Sequence, residues 1–210
     1  MKIYDVPTRA DQEDFLIRLY FGAGDKYLRL CVNRAYLDFN RTLHGIAKLP
    51  HADAVRKEAS EKVETLLENL LTGENKDQPG FDDWHRKACD SLCSIYKKHG
   101  YDEFHIGQAQ KWLNMSFKYI RTMGEDRLRG YERFYQFGHV PLDSFIIKEF
   151  INIGKSPPCK PPPKRRPEGW SRIETYQEYM DYQQWIRQTF AGSFPLSVEF
   201  FLWQDHDPSS

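Results

Sequence analysis

The sequence predicts an all-α fold, and three observations carry that expectation. Apolar residues recur at three-and-four spacing through most of the chain. Glycines close several of these stretches, where a helix needs a stop. No stretch shows the sustained alternation of a half-buried strand. With 210 residues, of which 40% are hydrophobic and 15% aromatic, there is ample material for a buried core in one large or two small domains.

The elements follow in order. Residues 11–24, "DQEDFLIRLYFGAG", open with acidic residues and close on glycine. Residues 26–47, "KYLRLCVNRAYLDFNRTLHGIA", place Leu28, Cys31, Val32, Ala35, Tyr36, Phe39, Leu43 and Ile46 on one stripe, the mark of a core helix. Residues 51–73 and 80–100 continue the pattern, each ending at a glycine that can take the left-handed conformation. Residues 105–124, "HIGQAQKWLNMSFKYIRTMG", and 143–154, "DSFIIKEFINIG", read as two further helices. Residues 170–190, "WSRIETYQEYMDYQQWIRQTF", predict a last long helix with aromatics on more than one face, and "PLSVEFFLW" a short closing one. So aromatic a segment must pack back on the rest of the chain. No internal repeat is apparent.

One break interrupts the helices. Residues 154–169, "GKSPPCKPPPKRRPEG", hold six prolines, which exclude helix interiors and favour extended backbone. The expected organisation is a helical core over 1–153, a proline-rich linker or loop over 154–169, and C-terminal helices over 170–210 packing on the core. The loop carries Lys155, Lys160, Lys164, Arg165 and Arg166 against Glu168 alone, so it reads either as a contact for a phosphate backbone or as a solvated tether.

Composition restricts the partners. Thirty basic residues balance thirty acidic ones, so any nucleic-acid argument must be local. Cys31, Cys89, Cys93 and Cys159 fit no zinc or iron–sulfur spacing and read as reduced thiols, and neither a metal nor another cofactor is expected. The N-terminal stretch lacks an apolar signal core, and no run approaches the length of a membrane span. The expectation is a cytoplasmic protein without a membrane association or an obligate protein partner.

Two stretches hold chemistry. In "GHVPLDSFIIKEF", Asp143 stands directly before an apolar helical run with Pro141 just outside, the place of an N-cap. In "DEFHIGQAQKW", the isoleucine–glycine corner of Ile106 and Gly107 reads as a tight hairpin running into a helix whose first turn contains Lys111. Such a corner leaves backbone amides outward, which is how proteins hold phosphates without reading bases. The helix dipole there disfavours an ammonium and so favours a neutral, nucleophilic amine. Taken singly, a capping carboxylate and a solvated lysine explain both stretches.

Together they resemble the helix–hairpin–helix superfamily of DNA glycosylases, whose signature is a hairpin, a lysine-bearing helix and a "V-P-x-D" segment. "HIGQAQKWLNM" is similar to the first element and "HVPLDSFIIK" to the second. The interval of 32 residues between Lys111 and Asp143 looks like that of the archaeal 8-oxoguanine glycosylase branch, and bacterial anti-phage glycosylases share the architecture. The resemblance covers about residues 100 to 152, with one glycine, Gly107, where the common hairpin has two.

The resemblance implies an enzyme acting on double-stranded DNA that carries a modified base. Asp143 would stabilise the positive charge that builds at the anomeric carbon as the N-glycosidic bond breaks. Lys111 would add to the same carbon as nucleophile, with strand cleavage by β-elimination to follow. His105, Gly107, Gln108, Lys164, Arg165 and Arg166 would contact DNA. The flipped base would stack in a pocket drawn from Trp112, Met115, Trp185 and Trp203, with Phe117 also on the lysine's helix. The expected substrate is 8-oxoguanine or an enlarged cytosine such as glucosylated hydroxymethylcytosine, rather than uracil. The competing readings are a helical DNA-binding or adaptor protein without chemistry, and a helical interaction module that binds no DNA.

Overall fold

The computed structural model describes residues 6–73, 77–156, 158–164 and 166–204. These form α1 (Arg9–Phe21), α2 (Tyr27–Phe39), α3 (Ala52–Thr72), α4 (Gln78–Lys98), α5 (Ile106–Met123), α6 (Ser144–Ile153), α7 (Tyr176–Thr189) and α8 (Pro195–Gln204). Short 3-10 turns connect some of them, and no strand occurs among the described residues. The all-α expectation is met. No helix among these residues is long and apolar enough to cross a membrane.

Helix α5 is the axis, with 15 of its 18 residues buried. It packs chiefly on α2, whose stripe of Cys31, Val32, Ala35, Tyr36 and Phe39 is fully committed to the core, and on α4. Leu28 and Ile46, expected on that stripe, are only partly buried at its ends. Helix α1 differs from all the others. Thr8 and Asp11 cap it reciprocally, yet it buries no residue and leaves Phe15, Leu16 and Leu19 exposed.

Several expected boundaries shift, each for a local reason. Helix α2 ends at Phe39, not near residue 47, because Asn40 to Thr42 tighten into a 3-10 turn in which Thr42 Oγ1 donates to the Phe39 carbonyl at 2.8 Å. Leu43 still reaches the core. Helix α4 starts before residue 80, since the Asp77 carboxylate accepts from Gly80 N at 2.8 Å and Pro79 sits in the first turn. Gly100 behind α4 is left-handed at φ 78°, but Gly73 behind α3 is extended at φ −77°. Helix α7 begins at Tyr176, where Thr175 caps Glu178 N, while Trp170–Arg172 form a separate turn against α5.

The described part of the proline-rich segment lies along α7. Trp185 Nε1 donates to the Lys160 carbonyl at 2.8 Å and Tyr182 OH to the Lys164 carbonyl at 3.2 Å. Prolines lack the N–H groups that would pair nearby carbonyls, and aromatic donors of α7 satisfy two of these carbonyls.

Residues 139–142, between α5 and α6, are buried although they are not helical. Buried backbone needs partners for its polar groups, and two glutamines supply them at Val140 and Leu142. Gln183 of α7 accepts from Val140 N and donates to Val140 O, at 3.0 and 2.9 Å. Gln110 of α5 does the same for Leu142, at 3.1 and 2.9 Å. Pro141 between them has no N–H to satisfy, so a proline suits the position.

Candidate functional site

The first turn of α5 determines where its lysine sits. Ile106 and Gly107 are already helical, so the expected hairpin corner falls inside the helix and Lys111 lies in the second turn. His105 is the N-cap: its backbone N–H donates to Gln108 Oε1 at 2.7 Å. The amides of Gln108 and Ala109 bond His105 O, and Gly107 N donates to Ile173 O at 3.0 Å. Gln108 is fully buried, and its Nε2 donates to Glu103 O. The expected phosphate grip is thereby corrected, because these amides are committed within the protein. His105 faces Arg172, with 3.1 Å between their nitrogens. Gly107 has a different reason to be glycine: a Cβ there would stand 2.1 Å from the Trp170 carbonyl oxygen.

Asp143 ends the clamped loop and caps α6, its Oδ1 accepting from Ile146 N at 2.8 Å. Its Oδ2 accepts from Lys111 Nζ at 2.6 Å. The two side chains keep only 5% and 16% of their surface, and both open onto one cleft of about 710 Å³. The ion pair therefore lies at the floor of a cavity rather than on an exposed face.

The cleft walls come from five helices and the turn before α7. Met115, Lys118 and Tyr119 of α5 continue the lysine's face; Leu37 and Asp38 come from α2, Tyr20 from α1 and Phe200 and Trp203 from α8. Phe145, in the first turn of α6, packs on Trp203 with ring centroids 4.4 Å apart. Helix α8 is oriented by an inverted pattern, since Glu199 is buried and pairs with Lys118 at 2.7 Å while Phe200 and Trp203 stay exposed. Burial pushes the Glu199 carboxyl up, against the opposing pull of Lys118.

Of the expected base-pocket residues, Met115 and Trp203 line this cleft. Trp112 does not, being fully buried between Tyr36 and Phe39 with its Nε1 donating to Val32 O. One step along a helix turns a side chain by about 100 degrees, so the neighbour of Lys111 faces the core. Phe117 is core against Phe81 for the same reason. Trp185 anchors the proline-rich loop instead.

The loop's basic residues have separate fates. Lys164 is exposed. Arg166 is paired with Glu174 and Glu178, at 3.3 and 2.9 Å, and is not a free phosphate contact. Arg165 lies outside the described residues. No group of three His, Cys, Asp or Glu side chains is placed to hold a metal ion among the described residues.

Behind the site runs a buried polar network. Asn114 of α5 donates to Gln110 Oε1 at 3.0 Å and to Tyr179 OH at 2.8 Å. Tyr179 OH contacts His139 Nδ1 at 2.8 Å, and His139 Nε2 lies 2.7 Å from Asp82, which Arg187 holds with two bonds of 2.8 Å. Burial pushes His139 and His85 below the usual imidazole range. Burial alone would raise Asp82, but the bonds from His139 and Arg187 outweigh it and hold this carboxyl well below the usual range.

The fold and site thus define an all-helical protein with a lysine–aspartate pair at the floor of an aromatic-walled cleft. No protein-family model matches the chain, and no curated protein or solved structure matches it.

Proposed function

We propose that the chain is a DNA glycosylase that excises a modified base from duplex DNA. The observation that supports this reading is the 2.6 Å contact between Lys111 Nζ and Asp143 Oδ2 at the floor of a cleft large enough for a nucleotide base. A sugar seated over the pair would present its anomeric carbon to both groups. The C1′–N bond breaks with its electron pair leaving on the base, and Asp143, remaining a carboxylate, stabilises the cationic sugar. Lys111 gives a proton to the departing base, and its neutral amine forms the new bond to C1′. The C1′–O4′ bond then breaks, O4′ leaving as a hydroxyl with the proton lost from nitrogen, and the resulting imine acidifies C2′, so that loss of a C2′ proton expels the 3′ phosphate by β-elimination. Where water adds in place of the amine, the product is an abasic site alone.

Trp203 and Met115 would stack on the flipped base, and Arg41 at the exposed mouth would attract phosphate. A base of viral DNA enlarged by glucosylation and an oxidised guanine both suit a cleft of this size, so antiviral defence and DNA repair are the two settings of one chemistry. A helical DNA-binding or adaptor protein without chemistry is the second reading. It is favoured by the capping bond from Ile146 N to Asp143, which gives the carboxylate a structural role. Incubation with several naturally modified DNAs, followed by alkali, tests the proposal: breaks at one modified base support it, and intact strands throughout refute it.

A further inference from the structure

The wall of the cleft that holds the ion pair carries an acceptor that base release itself does not need. Asp38 of α2 lines the same cleft as Lys111 and Asp143. Its Oδ2 accepts from Tyr119 OH at 2.7 Å. With that proton directed at the carboxylate, the Tyr119 oxygen is left to accept from Tyr20 OH at 3.0 Å. Three groups from α1, α2 and α5 thus form one oriented chain that ends on Asp38. Asp38 Oδ1 stands 3.7 Å from Arg34, beyond hydrogen-bond length, and accepts no hydrogen bond among the described residues. It keeps acceptor capacity at a partly open position of the wall.

Resting on the glycosylase reading, we infer that Asp38, aimed by the Tyr20–Tyr119 hydroxyl pair, reads the pairing edge of the flipped base, and that this base carries an amino group there. Cytosine, adenine and guanine each offer an amino donor to such an acceptor, whereas uracil and thymine offer a ring N–H flanked by two carbonyl oxygens. Those oxygens would meet a carboxylate as acceptor against acceptor, leaving buried polar groups unpaired, and sites built on hydrogen bonding reject such mismatches strongly. Burial pushes the Asp38 carboxyl up, while Tyr119, Arg34, Lys111 and Lys118 oppose the shift. The substrate class is therefore an amino-bearing base, and Asp38 determines specificity without taking part in bond breaking.

The test uses duplexes that differ only at the pairing edge: 5-hydroxymethylcytosine against 5-hydroxymethyluracil, and 8-oxoguanine against 8-oxohypoxanthine, which lacks the amino group. Single-turnover base release is measured for the full chain, for Asp38→Asn and for Tyr119→Phe, with urea unfolding as a check on the fold. The expected result is that the wild-type protein prefers the amino member of the pair it acts on by at least about 10-fold. Asp38→Asn, whose amide can donate to a carbonyl, is expected to reduce that ratio by about 10-fold or more, and Tyr119→Phe to reduce it less. Equal release of both members, or an unchanged ratio in both variants, overturns the inference and leaves the excision reading standing. Release from none of the four duplexes, and none from a glucosylated 5-hydroxymethylcytosine duplex run beside them, overturns the inference and the reading beneath it together.

Discussion

Gln110 and Leu142 exchange two hydrogen bonds, Nε2 to the Leu142 carbonyl at 2.9 Å and the Leu142 amide to Oε1 at 3.1 Å. Each of these residues directly precedes a member of the ion pair, so the amide clamp sets the register in which Lys111 meets Asp143. The separation of 32 residues along the chain is closed by one buried side chain.

Gln110→Leu is therefore expected to destabilise the protein by about 2 kcal/mol or more, since the Leu142 amide and carbonyl lose their partners in a buried loop. The midpoint of urea unfolding reads this directly. A loss below about 0.5 kcal/mol would show that water or a shifted backbone replaces the clamp.

Gly107→Ala separates two roles for one glycine. The added Cβ would meet the Trp170 carbonyl at 2.1 Å and the Ser171 backbone at 2.9 Å, and backbone cannot swing away as a side chain can. The expected outcome is a stability loss of at least about 1–3 kcal/mol, seen as a lower thermal midpoint. An unchanged midpoint with weakened DNA binding would restore the phosphate-grip reading of this residue.

Stability should fall in two stages on acidification. His85 and His139 have folded pKa values below the ordinary one, so the unfolded chain binds more protons, and their contribution is lost as pH falls below about 6.5. Asp82, also depressed, contributes above about pH 4 and is lost below it. Urea midpoints measured from pH 8 to pH 3 check the sign. A midpoint that rises between pH 7 and 5 would mean that the buried imidazoles are charged in the folded protein.

The helices and the Asp143 cap were legible because both rest on local pattern: apolar spacing for the helices, a proline followed by a capping aspartate for the loop; the pairing of Lys111 with Asp143 was implied by the resemblance and not by local pattern. What surrounds the pair was not. Gln110 and Gln183 act through backbone of a distant loop, and nothing about an isolated glutamine distinguishes a clamp from a solvated amide. Asp38 and Tyr119 belong to one site only because α2 packs on α5. Glu199 did carry a signal, a lone carboxylate in the apolar run "PLSVEFFLW", which implies a buried partner or an inverted face. Trp112 was misplaced by counting aromatics near the lysine instead of following the rotation of the helix, and Trp185, expected to close the pocket from the C-terminal part, instead bonds the proline-rich loop.

The basic loop yields a fourth expectation if the protein binds duplex DNA. Lys164→Ser should lower the salt slope of binding by about 1, while Arg166→Ser, already paired with Glu174 and Glu178, should leave the slope nearly unchanged. Salt titration of duplex affinity distinguishes them. Equal effects would mean that Arg166 exchanges its carboxylates for phosphate on binding.

The central claim is that Asp143 acts on a sugar and not only on its helix. Asp143→Asn keeps a side-chain oxygen for Ile146 N but removes the charge beside Lys111. The most direct measurement is the rate of base release from the modified duplex that the wild-type protein attacks, taken together with duplex affinity. The account predicts that release falls by at least about 10²-fold in the variant while affinity stays within a few-fold. Undiminished release by Asp143→Asn would contradict it and leave the carboxylate a helix cap.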